Sequence, residues 1–141
     1  MTKKALVFMA PGFEEMELTI TVDILRRAGI EAQTVTLAAD KAAVKGSRNI
    51  SMLPDLCLDE IAVENCDIAI LPGGIDGTRN LGANQKVIGF IQKMHAAGKK
   101  VAAICAAPAV LAKAGLINGR RATSHPAAAE HMVGVNYCED R

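Results

Sequence analysis

Aromatic side chains are scarce in this sequence: it has no tryptophan, one tyrosine and three phenylalanines in 141 residues. Without flat side chains in number, the platforms on which single-stranded nucleic acids stack are missing. A surplus of one charge is missing too. Sixteen Lys and Arg stand against fifteen Asp and Glu, for a formal net charge of +1. The adjacent basic pairs Lys3-Lys4, Arg26-Arg27, Lys99-Lys100 and Arg120-Arg121 are scattered, whereas a nucleic-acid binder concentrates them on one face, so nucleic acid is not expected as the main ligand. No apolar run approaches the roughly 20 residues that span a bilayer, so no membrane partner is expected. The opening MTKKALVFMAPGF imitates a secretion signal, but the acidic EEME stands where processing should occur, and a buried first strand is the better account. No C-x-x-C occurs: Cys57, Cys66, Cys105 and Cys138 are 9, 39 and 33 positions apart, which argues against a zinc site and a thioredoxin-type pair. No metal is expected, and four dispersed thiols suit a reducing cytoplasm. The Gly-x4-Gly-Lys-Ser/Thr phosphate loop is also absent.

Half of the residues are hydrophobic, enough for one substantial core built from Ala, Val, Ile, Leu and Met, so residues 1–141 are expected to form a single domain. Residues 4–10, KALVFMA, predict a buried strand, 14–28 a helix stopped at Gly29, and AQTVTLA a second strand. VKGSRNISMLPD predicts a short hairpin turning at Gly46 to Asn49. DIAILPGG predicts a strand ahead of a helix over 84–97 closed by Gly98, and KVAAIC a strand ahead of a helix closed by Gly115. A short strand at 121–124, a short helix opened by Pro126 and a strand at GVNYC complete the pattern. Strands alternating with helices imply a parallel sheet covered on both faces, and in such sheets ligands gather at the carboxyl ends of the strands. Three loops fall there: APGFEE, LPGG and CAAP.

Cys105 lies in the last of them. A thiol at a strand-to-helix turn meets unsatisfied N–H groups and the positive end of a helix dipole, both of which favour thiolate, so Cys105 is expected to titrate below an ordinary cysteine and to be the most reactive thiol. Pro108 suits the first helical turn. Stepping from Phe13 by four, three and four residues reaches Glu17, Ile20 and Ile24, which predicts that Glu17 shares an inward stripe. A carboxyl buried beside a thiolate is expected to stay protonated and to donate to sulfur. Glu14 and Glu15 suit the dipole of a first turn and call for no further role. Gly73 and Gly74 let the backbone turn sharply and present N–H groups which, with the Ala106 N–H, can hold an oxyanion. His125, before Pro126, is a candidate acid–base partner if it approaches Cys105. His95 and His131 lie in ordinary polar settings. For each residue the structural alternative stands beside the chemical one: a buried inert thiol, a carboxylate at the stripe's edge, and a glycine pair that is only a turn.

Together APGFEEMELTITVDILRRAGI, SRNISMLPD, DIAILPGG, VAAICAAPAVLA and TSHP resemble the ThiJ/PfpI superfamily, in the branch of the Parkinson disease protein deglycase, in order from Lys4 to Arg141. The resemblance implies a flavodoxin-like three-layer α/β/α sandwich with a mainly parallel sheet, related to class I glutamine amidotransferases, and a homodimer. It implies Cys105 as the reactive cysteine, Glu17 as its protonated partner, His125 as the nearby histidine, and Gly73, Gly74 and Ala106 as backbone donors. It further implies a chain that continues past NYCEDR into another strand and C-terminal helical structure. The domain is therefore expected to lack its C-terminal segment, with a separate fragment of the same protein, cut after Arg141, as a possible bound companion.

The function expected from these residues is a cysteine enzyme with no cofactor, acting on α-oxoaldehydes such as methylglyoxal or on early glycation adducts of proteins, of glyoxalase III or deglycase type, with a role in carbonyl and oxidative stress. The alternative is a redox-sensing stress protein or chaperone switched by oxidation of Cys105. A thiazole-biosynthetic role has no residues to carry it, and a peptidase would need an acid placed to orient His125.

Overall fold

The computed structural model describes residues 1–140; Arg141, after which a cut is only an expectation, lies outside the described residues. The central sheet consists of β1 (Lys4–Met9), β2 (Glu31–Thr36), β5 (Leu56–Cys57), β6 (Ile68–Leu71) and β7 (Lys100–Ala103). Its order is β5-β2-β1-β6-β7 and every pairing is parallel. β1 is apolar on both faces because both are covered: Ala5 to Met9 are all buried.

Successive side chains of β1 point to opposite layers. Ala5, Val7 and Met9 pack with Leu18 and Val22 of α1 (Glu15–Arg27) and with Val44. Leu6, Phe8 and Ala10 pack with α2 (Ile75–Ala83), α3 (Gln85–Ala96) and α4 (Pro108–Lys113) through Leu81, Ile91 and Val110. Phe8 meets Phe90 edge to face, with ring centroids 5.9 Å apart. This is the flavodoxin-like α/β/α sandwich. Its layer on the α1 side is thinner over β6 and β7, where Ile68 and Ile70 are half-buried and Ile104 is 51% exposed.

The hairpin of β3 (Val44–Lys45) and β4 (Ser51–Met52) forms as expected, with Asn49 at φ 64° in its turn. β8 (Arg121–Ala122) and β9 (Asn136–Tyr137) pair in a separate small parallel sheet, flanking a 3-10 turn at Pro126–His131. Among the strands and α-helices, two are not foreseen by the sequence. β5 is only two residues long, too short for periodicity to show. α2 follows LPGG directly, and its sequence IDGTRNLGA has two glycines that hide it. Among the described residues no helix is long and apolar enough to cross a membrane.

One sequence expectation fails in α1. Ile20 and Ile24 are 55% and 59% exposed, and the buried residues of the helix are Glu15, Leu18 and Val22. The stripe that begins at Phe13 lies one position away from the face that meets the sheet, because Phe13 precedes the helix and does not share its rotation.

Candidate functional site

β1 lies between β2 and β6; the chain builds outward from β1 to β2 and β5 on one side and then returns to add β6 and β7 on the other, so a crevice opens at the carboxyl ends of β1 and β6. The loop after β1, the Gly73-Gly74 turn after β6 and Cys105 after β7 converge there. Gly73 lies so close to the other two that a Cβ on it would stand 2.6 Å from Glu17 Oε2, 2.7 Å from Cys105 Cβ and 3.1 Å from Cys105 Sγ. Gly74, at φ 89°, is packed against the Gly12 carbonyl and the Glu14 N–H. Glycine is needed at both positions for space, and at Gly74 for conformation as well.

Three carboxylates at the start of α1 take three different partners. Glu14 caps the helix, its Oε2 accepting from the Glu17 N–H over 2.7 Å. Glu15 turns into the protein, only 5% exposed. It accepts from the Ser47 hydroxyl at 3.0 Å, the Arg48 N–H at 2.6 Å and the Ile50 N–H at 3.4 Å. Burial works to raise the Glu15 carboxyl, but these donors outweigh it and hold the group below its ordinary range. Glu17 faces the crevice, and its Oε2 accepts from the Gly73 N–H over 2.6 Å.

Cys105 adopts φ 61°, a left-handed backbone that a non-glycine residue holds only where its surroundings impose it. The constraint is visible on both sides of the residue: the Ile104 N–H donates to Leu71 at 3.2 Å, and the Cys105 carbonyl accepts the His125 N–H at 2.6 Å. The sulfur is half-buried beside Glu17, within the influence of the Gly74 and Ala106 N–H groups. Burial is the strongest influence and pushes the thiol above its ordinary value. The facing Glu17 adds to the rise through its hydrogen bond and its charge, while the Gly74 and Ala106 N–H groups pull it back.

This reverses the expected low titration of Cys105. The helix that was to supply a dipole is only six residues long, and its cap is Ala107, two positions beyond the cysteine. Cys57 and Cys66 are buried and are also pushed up, mainly by burial. Cys138 lies away from the crevice, its Sγ 3.3 Å from Arg121 Nε.

The structure places Glu17, Gly73, Gly74, Cys105 and Ala106 in one cluster. Gly73 differs in role from the sequence expectation, since its N–H is engaged by Glu17 and Gly74 with Ala106 supply the donors at sulfur. His125 is joined to Cys105 through the backbone. Its exposed ring accepts the Ala127 N–H at Nδ1 over 3.1 Å, so a neutral ring carries its hydrogen on Nε2, and among the described residues it makes no hydrogen bond to Sγ. Glu15 was missed. Its signal was the spacing Glu15, Leu18, Val22, which competes on equal terms with the stripe from Phe13.

The DJ-1/PfpI family model matches residues 3–141. DJ-1beta of Drosophila melanogaster is 42% identical over 142 residues, covering 100% of this chain and 75% of the fly protein. Its crystal structure superposes with a TM-score of 0.93, covering 100% of this chain and 76% of the other. A deglycase from Pyrococcus horikoshii is 32% identical, over 94% of this chain and 78% of its own length. A structure of oxidized Toxoplasma gondii DJ-1 superposes with a TM-score of 0.84 at 30% identity, over 92% of this chain and 71% of its own. With a family model that spans the crevice, the cysteine turn and the β8–β9 pair, this chain belongs to the DJ-1/PfpI family.

Proposed function

We propose that the chain is a cofactor-independent cysteine enzyme acting on α-oxoaldehydes or early glycation adducts, serving in carbonyl and oxidative stress in the cytoplasm. The observation that carries this reading is the strained Cys105, whose sulfur and the Glu17 carboxyl both crowd Gly73, with the Gly74 and Ala106 N–H groups acting on the thiol as donors. In the reactive form we assign the proton to Glu17 and the negative charge to the sulfur.

The thiolate adds to the aldehyde carbon and forms a hemithioacetal. Its oxyanion forms within reach of the Gly74 and Ala106 N–H groups. Glu17 gives its proton to that oxyanion and, now a carboxylate, takes the carbon-bound proton and returns it to the neighbouring carbonyl carbon, leaving a 2-hydroxy thioester, with His125 as the second acid–base group. Water cleaves the resulting thioester and releases a hydroxy acid, lactate from methylglyoxal, restoring the thiol. The kinship with the Pyrococcus deglycase supports this class of reaction.

A second reading is favoured by the same donors: oxidation of Cys105 to a sulfinate would place oxygens where Gly74 and Ala106 can donate to them, as in a redox sensor. The existence of an oxidized Toxoplasma DJ-1 structure supports it. We further propose a homodimer through the outer face of α1, where Met16, Ile20 and Ile24 recur every four residues and are exposed.

The test is lactate formation from methylglyoxal by the wild type and by Cys105→Ala, Glu17→Leu and His125→Ala. The enzyme reading expects activity that is lost with Cys105→Ala and Glu17→Leu and lowered with His125→Ala. A wild type without turnover, whose Cys105 gains two oxygens under mild peroxide, would favour the sensor.

A further inference from the structure

A second concavity lies on the α4 side of the cysteine turn, enclosed by α2, α4 and the turn at Pro126–His131, with a volume of about 450 Å³. That is within the range of small-molecule sites. It exists because the facing positions are small: Gly82 on α2, Ala109 and Ala112 on α4, and Ala128 on the turn. A leucine at any of them would project into it.

Its charge is one-sided. Arg79, Lys113 and His131 line it, and no Asp or Glu does. Arg79 is engaged by Asp76 at 2.8 Å, and His131 approaches Glu130 at 3.6 Å. Lys113 takes part in none of the ion pairs among the described residues. Its stem folds back towards α2, since a Cβ on Gly82 would stand 3.7 Å from Lys113 Cδ. An apolar floor of alanines below an unpaired ammonium suits a ligand with an aliphatic body and one anionic end.

The concavity also borders the crevice and shares only Ala106 with the Cys105 cluster. Ile75, Ala106 and Ala127 line it; the first two directly follow Gly74 and Cys105, and the third lies two positions beyond His125. The cysteine turn is its near wall, and Lys113, at the other end of α4, marks the far one.

We propose that this cavity is a binding site for aliphatic monocarboxylates, with the chain over Ala109 and Ala112 and the carboxylate at Lys113. The site is independent of the reaction at Cys105, because it is read by binding alone and is expected to survive in Cys105→Ala.

The experiment is calorimetric titration of the whole chain with octanoate, octylamine and acetate, alongside amide chemical-shift mapping of the octanoate complex. Octanoate is expected to bind saturably and to shift amides of α2, α4 and residues 126–131, while octylamine and acetate bind at least about tenfold more weakly, one carrying the opposite charge and the other lacking the body. Lys113 is exposed, so Lys113→Glu keeps the fold and is expected to weaken octanoate by about tenfold or more. Ala109→Leu is expected to abolish binding by filling the cavity. Equal binding of octylamine, unchanged binding in Lys113→Glu, shifts confined to other surfaces, or no saturable octanoate binding would each overturn the proposal.

Discussion

Glu17 and Gly73 hold one another by a single hydrogen bond, Gly73 N–H to Glu17 Oε2 at 2.6 Å. The Gly73 carbonyl accepts in turn from the Glu14 N–H at 3.0 Å. One residue of the LPGG turn is thereby fixed on both sides to the start of α1. Glu17 cannot rotate away from the crevice without leaving a buried N–H unpaired, and this keeps a carboxyl against the Cys105 sulfur.

Replacing Glu17 separates its hydrogen bonds from its charge. In Glu17→Gln the amide oxygen can accept from Gly73 while the amide N–H donates to sulfur, and the charge is gone, so the Cys105 thiol is expected to titrate below its wild-type value. Glu17→Leu leaves the Gly73 N–H unpaired, at a cost of about 1–3 kcal/mol, and offers sulfur no donor, so its thiol is expected to titrate above that of the Gln variant. Thiolate absorbance followed across pH measures the order, and equal titration in all three proteins would remove Glu17 as the partner.

Gly73→Ala puts a methyl group within 2.6 Å of Glu17 Oε2 and 2.7 Å of Cys105 Cβ. We expect a loss of about 1–3 kcal/mol in stability, as for overpacked cores, together with loss of the distinctive titration of Cys105. Denaturant unfolding and alkylation followed by peptide mapping report the two effects separately.

Glu15 is the acid-sensitive joint of the fold. Its carboxyl is held below the ordinary value of 4.5 by donors from residues 47, 48 and 50. A depressed native value means that the unfolded chain binds the proton more tightly, so this contribution is complete above the ordinary value and is lost as pH falls through the native one. Glu15→Ala is expected to cost about 3 kcal/mol, with buried donors left unpaired, and to flatten the decline in stability below pH ~4.5. Urea unfolding of both proteins from neutral to acid pH checks the magnitude and the sign.

Ile20 and Ile24 stand 55% and 59% exposed on one face of α1. Ile20→Glu combined with Ile24→Lys is expected to shift the protein from dimer to monomer while retaining its far-ultraviolet dichroism. Sedimentation equilibrium decides this, and a wild type that sediments as a monomer would end the dimer proposal.

The sequence alone determined the order of the elements around the crevice. The unbroken apolar runs at Ala5 to Met9 and at Ile68 to Leu71, each followed by a turn and a helix, admit only a parallel sheet covered on both faces. That order brings the Cys105 turn and the LPGG turn to one edge of the sheet, so cysteine and glycines were legible as a group. Tertiary structure alone decided which carboxylate meets which partner. Glu14, Glu15 and Glu17 occupy one helical turn, where a rotation of some tens of degrees exchanges an inward position for an outward one, and that rotation is set by the docking of Leu18 and Val22 on β1. Periodicity chose the stripe through Ile20 and Ile24, which is exposed, and reached Glu17 beside it by a route the packing does not follow. The direction in which Cys105 titrates was likewise beyond the sequence. It depends on how deeply the sulfur is buried and on what faces it across the crevice, and these are properties of a helix and two turns brought together from positions 17, 73 and 105, not of any one of them.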